Sequence, residues 1–287
     1  MRKIHLILIV LIIILGIIAI NISKNKGQSA ITRSKEQIIG TLEVKNGDQL
    51  ERDIIPRLAA SYNLAPEEVK GILASCNSKL MASGLDDFRK MEGLIPVGDH
   101  QLIKKDLKEQ LAVFIQLSES RYDKISSVIT DKNSLAPVEG VILASVIQAE
   151  GLKGEYYQEI ASVFLNRLSK GGLLQSCVTA EYALGYQRPY LTFDDTLLES
   201  PYNTYYTNGL PTGPICSFSE EALKAALSPS IDPALTYFYF DYITGKMSFY
   251  ADYETFNQEG LLTMEHFEAE SPVGKFEKIN KQELYGK

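Results

Sequence analysis

Glu150 is the residue through which this 287-residue chain could do chemistry. It follows VILASVIQA at 141–149, apolar on nearly every helical face, which reads as a helix enclosed by protein. A carboxylate there loses hydration and meets the negative end of the helix, which Gly151 marks; both effects raise its pKa. A carboxyl that keeps its proton near neutral pH is a general acid, the group that glycosidic cleavage requires. The same residues also fit a structural carboxylate that caps a neighbouring helix or pairs with Arg167. This segment alone leaves both readings open.

The elements that must hold Glu150 follow from pattern. Ser134 and Pro137 open its helix, and Glu155 opens the next, in which Tyr156, Ile160, Val163, Phe164, Arg167 and Leu168 line one side before Gly171 and Gly172 stop it. Residues 173–229 read as loops rich in Tyr, Pro, Gly, Asn and Ser. TYFYFDYITGKMSFYADY then predicts a β-hairpin around Gly245, and the charged last thirty residues predict a helix or a frayed tail.

Upstream, an amphipathic helix is expected around 99–117, with Leu102, Leu107, Leu111, Phe114 and Ile115 on one face. The segment from Gly40 reads as a strand, a turn at Asn46 and Gly47, a helix through Leu58, a break at Asn63 and a second helix entered through Ala65 and Pro66. The apolar run that begins at Leu6 and closes at Ile20 follows Arg2 and Lys3 and nearly reaches bilayer length. With no small-x-small cleavage site or lipobox cysteine after it, it is expected to be an uncleaved anchor, N-terminus inside and the bulk outside.

A net charge of -7 argues against a nucleic-acid partner. His5, His100 and His266 are too scattered to suggest a metal site, and no cofactor is expected. Cys76, Cys177 and Cys216 allow one disulfide at most, Cys177 with Cys216 being the favoured pair.

The loop SPYNTYYTNGLPTGPI at 200–215, with LASVIQAEG around Glu150, FLNRL at 164–168, LLQS at 173–176 and MEGLIP at 91–96, resembles the endolytic murein transglycosylases of the YceG-like family. The resemblance runs from Gly40 to Asn257. The chain as a whole reads as α+β: an anchor at 1–22, a linker at 23–38, a module at 39–83 that looks LysM-like, a domain of helices and a β-hairpin at 84–257 that the resemblance makes catalytic, and a charged extension at 258–287. The module matches at Gly47, Asp48, Leu50, Leu58, Ala59, Tyr62 and Pro66 to Val69. It departs at Pro56 inside the first helix and in lacking a second strand right after Leu73, so glycan binding and a spacer role both stay open.

By that resemblance the enzyme cuts the β-1,4 bond between N-acetylmuramic acid and N-acetylglucosamine inside peptidoglycan strands, leaving a 1,6-anhydro end and using no water. Glu150 matches the catalytic glutamate. Gln175, Tyr202, Asn203 and Tyr205 match motif positions that would hold sugars, although loop architecture explains them too. Glu92 would line the cleft or fix the junction between lobes. Nascent strands beside penicillin-binding synthases are the implied setting, at the outer face of the cell membrane.

The residues agree with a single acid. Hydrolysis by the usual routes needs two carboxyls, about 5 to 9.5 Å apart, whereas Glu139, the nearest acid preceding Glu150 on its helix, is roughly 16 Å away along the axis. Glu155, Glu181, Asp194 and Asp195 could still approach through the fold. Cys177 and Val178 stand where the family usually has Asp and Pro, Met247 and Phe256 where histidines are common, and Gln148 where a second acid is frequent. These departures raise the alternative of a catalytically weak or inactive glycan-binding scaffold of the wall-synthesis machinery.

Overall fold

Helix α4 (Pro137–Glu150) is the central element in a computed structural model that describes residues 37–103, 106–151, 154–230 and 232–281. Pro137 occupies its first turn, where no N–H is needed, and the Glu139 carboxylate accepts from the Ala136 N–H at 2.7 Å. Residues Gly140 to Gln148 are all buried, as an apolar helix without a polar face requires. Against it lies α8 (Glu220–Leu227), so close at Gly140 that a Cβ there would sit 2.7 Å from Leu227 Cδ2. Helix α5 (Tyr157–Ser169) packs on both.

Ahead of this core come β1 (Ile38–Val44), a π-helical turn (Leu50–Ile54) continuing into α1 (Ile55–Tyr62), α2 (Pro66–Ala74), β2 (Gly98–Ile103) and α3 (Leu107–Val128). Pro56 is thereby accommodated: it falls in the first turn of α1 proper, and the wider turn before it absorbs the missing N–H. Asn63 ends α1 in the left-handed conformation. The partner of β1 is β2, so the second strand comes only at Gly98. The helix expected from 99 therefore begins instead at Leu107, where Asp106 caps it by accepting from the Glu109 N–H. Residues 98–103 take sheet pairing because β1 offers them an edge.

The stretch 173–229 is not all loop. It contains α6 (Cys177–Leu184), the single turn α7 (Phe193–Thr196) and α8. β3 (Tyr237–Asp241) and β4 (Lys246–Tyr250) form the expected antiparallel hairpin, Tyr237 opposite Tyr250 and Phe240 opposite Met247. α9 (Tyr253–Glu270) follows against the hairpin. Phe238 turns inward onto Phe164, while Tyr239 and Tyr250 stack on the other face beside Phe256.

The architecture is mixed α and β, with helices and two small two-stranded sheets among the described residues. The described residues from Gly40 onward form one compact unit. The expected anchor at 1–22 and all but the end of the linker lie outside the described residues, among which no helix is long and apolar enough to cross a membrane. All three cysteines are free thiols, so Cys177 and Cys216 do not pair; the Cys216 thiol donates to the Ser145 carbonyl inside the core.

Candidate active site

Glu150 is the last residue of α4 and faces a cavity of about 280 Å³ between the ends of α4 and α5, the start of α6 and the aromatic hairpin. Its placement is fixed from behind. Gly151 has no room for a side chain, since a Cβ would lie 2.4 Å from the Tyr157 ring. The Tyr157 hydroxyl in turn accepts from Gln148 Nε2 at 2.6 Å, and Gln148 Oε1 accepts from the Ser219 N–H at the start of α8. Gln148 is thus a buried strut joining three helices and stands away from the cavity wall.

The carboxyl itself accepts a hydrogen bond from Ser176 Oγ to Oε1 at 2.6 Å. Burial pushes its pKa above the usual carboxylate range; Ser176, Lys281 and Arg167 oppose that shift and Glu181 adds to it. No direct pair with Arg167 forms. That guanidinium is committed to the carbonyls of Thr236 and Leu174 and lies over the Tyr237 ring, tying α5 to the first hairpin strand.

The loop at 200–215 explains how Ser176 comes to point at Glu150. Asn203 is fully buried: Nδ2 donates to the carbonyls of Thr196 and Leu198, and Oδ1 accepts from the Tyr205 N–H. The adjoining Thr204 accepts from the Gln175 N–H through its carbonyl and from the Ser176 N–H through its hydroxyl, which also bonds Thr179. So clamped, Gln175 adopts a left-handed backbone (φ 48°) that leaves its side chain exposed at the cavity. For a residue with a Cβ that conformation costs about 1–2 kcal/mol, and such strain concentrates at functional sites.

Of the residues singled out from the sequence, Glu150, Gln175 and Tyr205 meet at the cavity. Tyr202 and Asn203 do not. Tyr202 is buried against the Tyr182 ring, centroids 4.7 Å apart, and Asn203 organises the loop. Glu92 is also elsewhere, buried where it accepts from the Leu50 N–H and the Tyr182 hydroxyl, tying the π-helical turn to α6.

The remaining acids are accounted for. Glu139 caps its own helix from the surface, Glu155 and Asp194 are exposed, and Asp195 caps α7 and accepts from the Tyr186 hydroxyl. Glu181 acts on Glu150 electrostatically but is ion-paired with Lys281 at 2.8 Å. Glu150 is the one carboxyl among the described residues lining the cavity. Cys177 lines it too, bonded to the Tyr205 hydroxyl at 3.1 Å, and burial beside Glu150 pushes its thiol up to about 11, so it stays protonated. The rest of the wall is largely aromatic, including Tyr237, Tyr239, Tyr253 and Phe256.

The sequence reading missed Ser176 and Lys281. Ser176 sits inside the LLQS motif and was within reach of inspection; Lys281 lies in the tail, with no motif to mark it.

The model of the YceG-like family matches residues 21–260. An endolytic murein transglycosylase of Bacillus subtilis (strain 168) is 38% identical over 98 residues, 34% of this chain and 27% of that protein. One from Streptococcus pneumoniae serotype 2 is 38% identical over 138 residues, 46% of this chain and 24% of its own. The match thus spans about a quarter of the length of these relatives. A crystal structure of a yceG-like protein from Listeria monocytogenes shares the fold, with TM-score 0.63 at 24% identity over 76% of this chain and 75% of that one.

Proposed function

The chain belongs to the YceG-like family, and from that premise we propose that it is an endolytic lytic transglycosylase of peptidoglycan, a lyase with Glu150 as its single acid and base. The observation that carries this reading is the solitary carboxyl: the aromatic cavity holds Glu150 and no second acid among its described lining residues. The two-carboxyl routes of hydrolysis find no partner there. Internal displacement needs none.

With Oε1 accepting from Ser176, Oε2 is left to carry the proton that burial retains. Glu150 gives that proton to the bridging oxygen as the bond from C1 of N-acetylmuramic acid breaks. The resulting carboxylate then takes the proton of the muramic acid C6 hydroxyl as O6 bonds to C1. The products are a 1,6-anhydro end and a free 4-hydroxyl, water is not consumed, and Glu150 ends protonated as it began. Gln175 supplies an amide and Tyr205 a phenol toward the sugars, and the faces of Tyr237 and Tyr239 suit pyranose rings.

The wider setting belongs to the same proposal. The apolar run from Leu6 to Ile20 would anchor the chain with its catalytic part outside the cell membrane, acting on nascent strands beside penicillin-binding synthases, and the LysM-like segment would touch glycan or act as a spacer.

Digestion of purified glycan strands tests the reading. Wild-type protein is expected to release fragments, and Glu150→Gln to bind strands without cutting them. Wild-type protein that binds strands and leaves them intact would replace the enzyme with a glycan-binding scaffold.

A further inference from the structure

We infer that Lys281, carried into the cavity by the C-terminal segment, is a positioning residue of the acid site: it holds Glu181 as an ion pair and so sets the charge that Glu150 meets. This rests on the proposed role of Glu150.

The segment is laid down as a strap along residues 187–190. The Tyr190 N–H donates to the Lys275 carbonyl at 3.1 Å, the Ile279 N–H to the Gln187 carbonyl at 3.0 Å, and the Lys281 N–H to Gln187 Oε1 at 3.1 Å. Lys275 is paired with Glu268, and the Lys278 ammonium sits 4.0 Å from the centre of the Tyr186 ring. At its end Lys281 is 3% exposed, its ammonium 2.8 Å from Glu181 Oε1 and over the Tyr242 ring. The same lysine lines the Glu150 cavity. The strap lies beyond residues 21–260, the part shared with the family model.

A lysine buried this deeply persists only when paired, and the pairing works in both directions. Glu181 is equally buried, and without Lys281 it would be a second negative charge beside Glu150. The groups facing Glu150 are Ser176, Cys177 and Glu181 from α6 and the turn before it, Arg167 from α5, Tyr205 from the loop, Tyr242 after β3, and Lys281. Lys281 favours the ionised form of Glu150 and Glu181 opposes it, so the two partners of the pair act on Glu150 in opposite directions. The strap thus pairs off the neighbouring acid, while Glu150 is the one carboxyl among the described residues that lines the cavity.

The test is the titration of Glu150 in the full-length protein, read by carbon-13 NMR of its carboxyl alongside the pH profile of strand cleavage. Lys281→Met is expected to move the Glu150 titration and the alkaline limb of cleavage up by about one pH unit. Glu181→Gln should move both down, and the double variant should return both close to wild type. Should Lys281→Met alone fail to fold, the comparison of Glu181→Gln with the double variant, which differ only at Lys281, still carries the prediction: the double variant must titrate higher, and equal titrations overturn the inference. A folded Lys281→Met protein with an unmoved titration, or a double variant displaced as far as a single one, overturns the inference. The NMR titration reads without turnover, so absence of cleavage in wild type would defeat the proposed function and leave this inference standing on the titration.

Discussion

Two carboxyls in this molecule meet the same physics and arrive at different uses. Glu92 is almost fully buried between the π-helical turn and α6, with the Leu50 N–H and the Tyr182 hydroxyl donating to it, and burial pushes its pKa up to about 8. Glu150 is raised by burial as well, with Ser176 donating to it. The difference is access. Glu150 lines a cavity walled by aromatic rings; Glu92 is absent from that lining and has its oxygens engaged by the backbone and a tyrosine. A retained proton is therefore a poor marker of a catalytic acid unless the carboxyl also has somewhere to deliver it.

Strand cleavage should separate the two carboxyls most widely. Glu150→Gln is expected to lower strand cleavage by about 10³-fold, the scale of a lost general acid. Glu92→Gln should leave cleavage within a few-fold of wild type, and a comparable collapse there would erase the distinction drawn between the two.

Stability should divide them the other way. Glu92→Ala strands the Leu50 N–H and the Tyr182 hydroxyl and is expected to cost about 2–3 kcal/mol in denaturant melts. Glu92→Gln keeps an acceptor oxygen. In wild type the folded pKa of Glu92, about 8, lies above the ordinary 4.5, so between these values the native state holds a proton that the unfolded chain releases. Its contribution to stability is complete below about 4.5, declines as pH rises to about 8 and is level beyond. Melts across that window should show the Glu92→Gln protein losing less stability than wild type as pH rises.

Two smaller effects probe the support of the cavity. Gly151→Ala drives a methyl into the Tyr157 ring, and an overpacking cost of about 1–3 kcal/mol is expected, together with reduced cleavage as Tyr157 releases Gln148. Gln175→Gly relieves the left-handed backbone and should stabilise by up to about 1 kcal/mol in melts. It should also slow cleavage several-fold if its amide holds sugar; unchanged cleavage would reduce Gln175 to a loop residue.

The Glu150 helix was legible because nine successive residues leave it no solvent face and Pro137 and Gly151 bracket it. The hairpin was legible from its alternation. By contrast, the Leu102, Leu107 and Leu111 spacing admits a helix from 99, and only pairing with β1, more than fifty residues earlier in the chain, turns 98–103 into a strand. Helix α8 was hidden in a stretch dominated by turn residues, although Ser219, which accepts from the Ala222 N–H, is an ordinary N-cap. Within the site, a motif position could not distinguish side chains that face the cavity from those that build its wall. Tyr205 and Asn203 are two residues apart, and only the first reaches it. Lys281 lies a hundred residues from Glu181, and nothing local announces an ion pair closed at that separation.

In the proposed mechanism one acid acts alone, with the substrate's own hydroxyl as nucleophile. Digestion of glycan strands in water enriched in oxygen-18, followed by mass spectrometry of the new ends, tests it most directly. Internal displacement predicts 1,6-anhydro ends carrying no heavy oxygen, produced by wild type and lost in Glu150→Gln. Reducing ends labelled with oxygen-18 would show that water attacks and would contradict the single-acid mechanism.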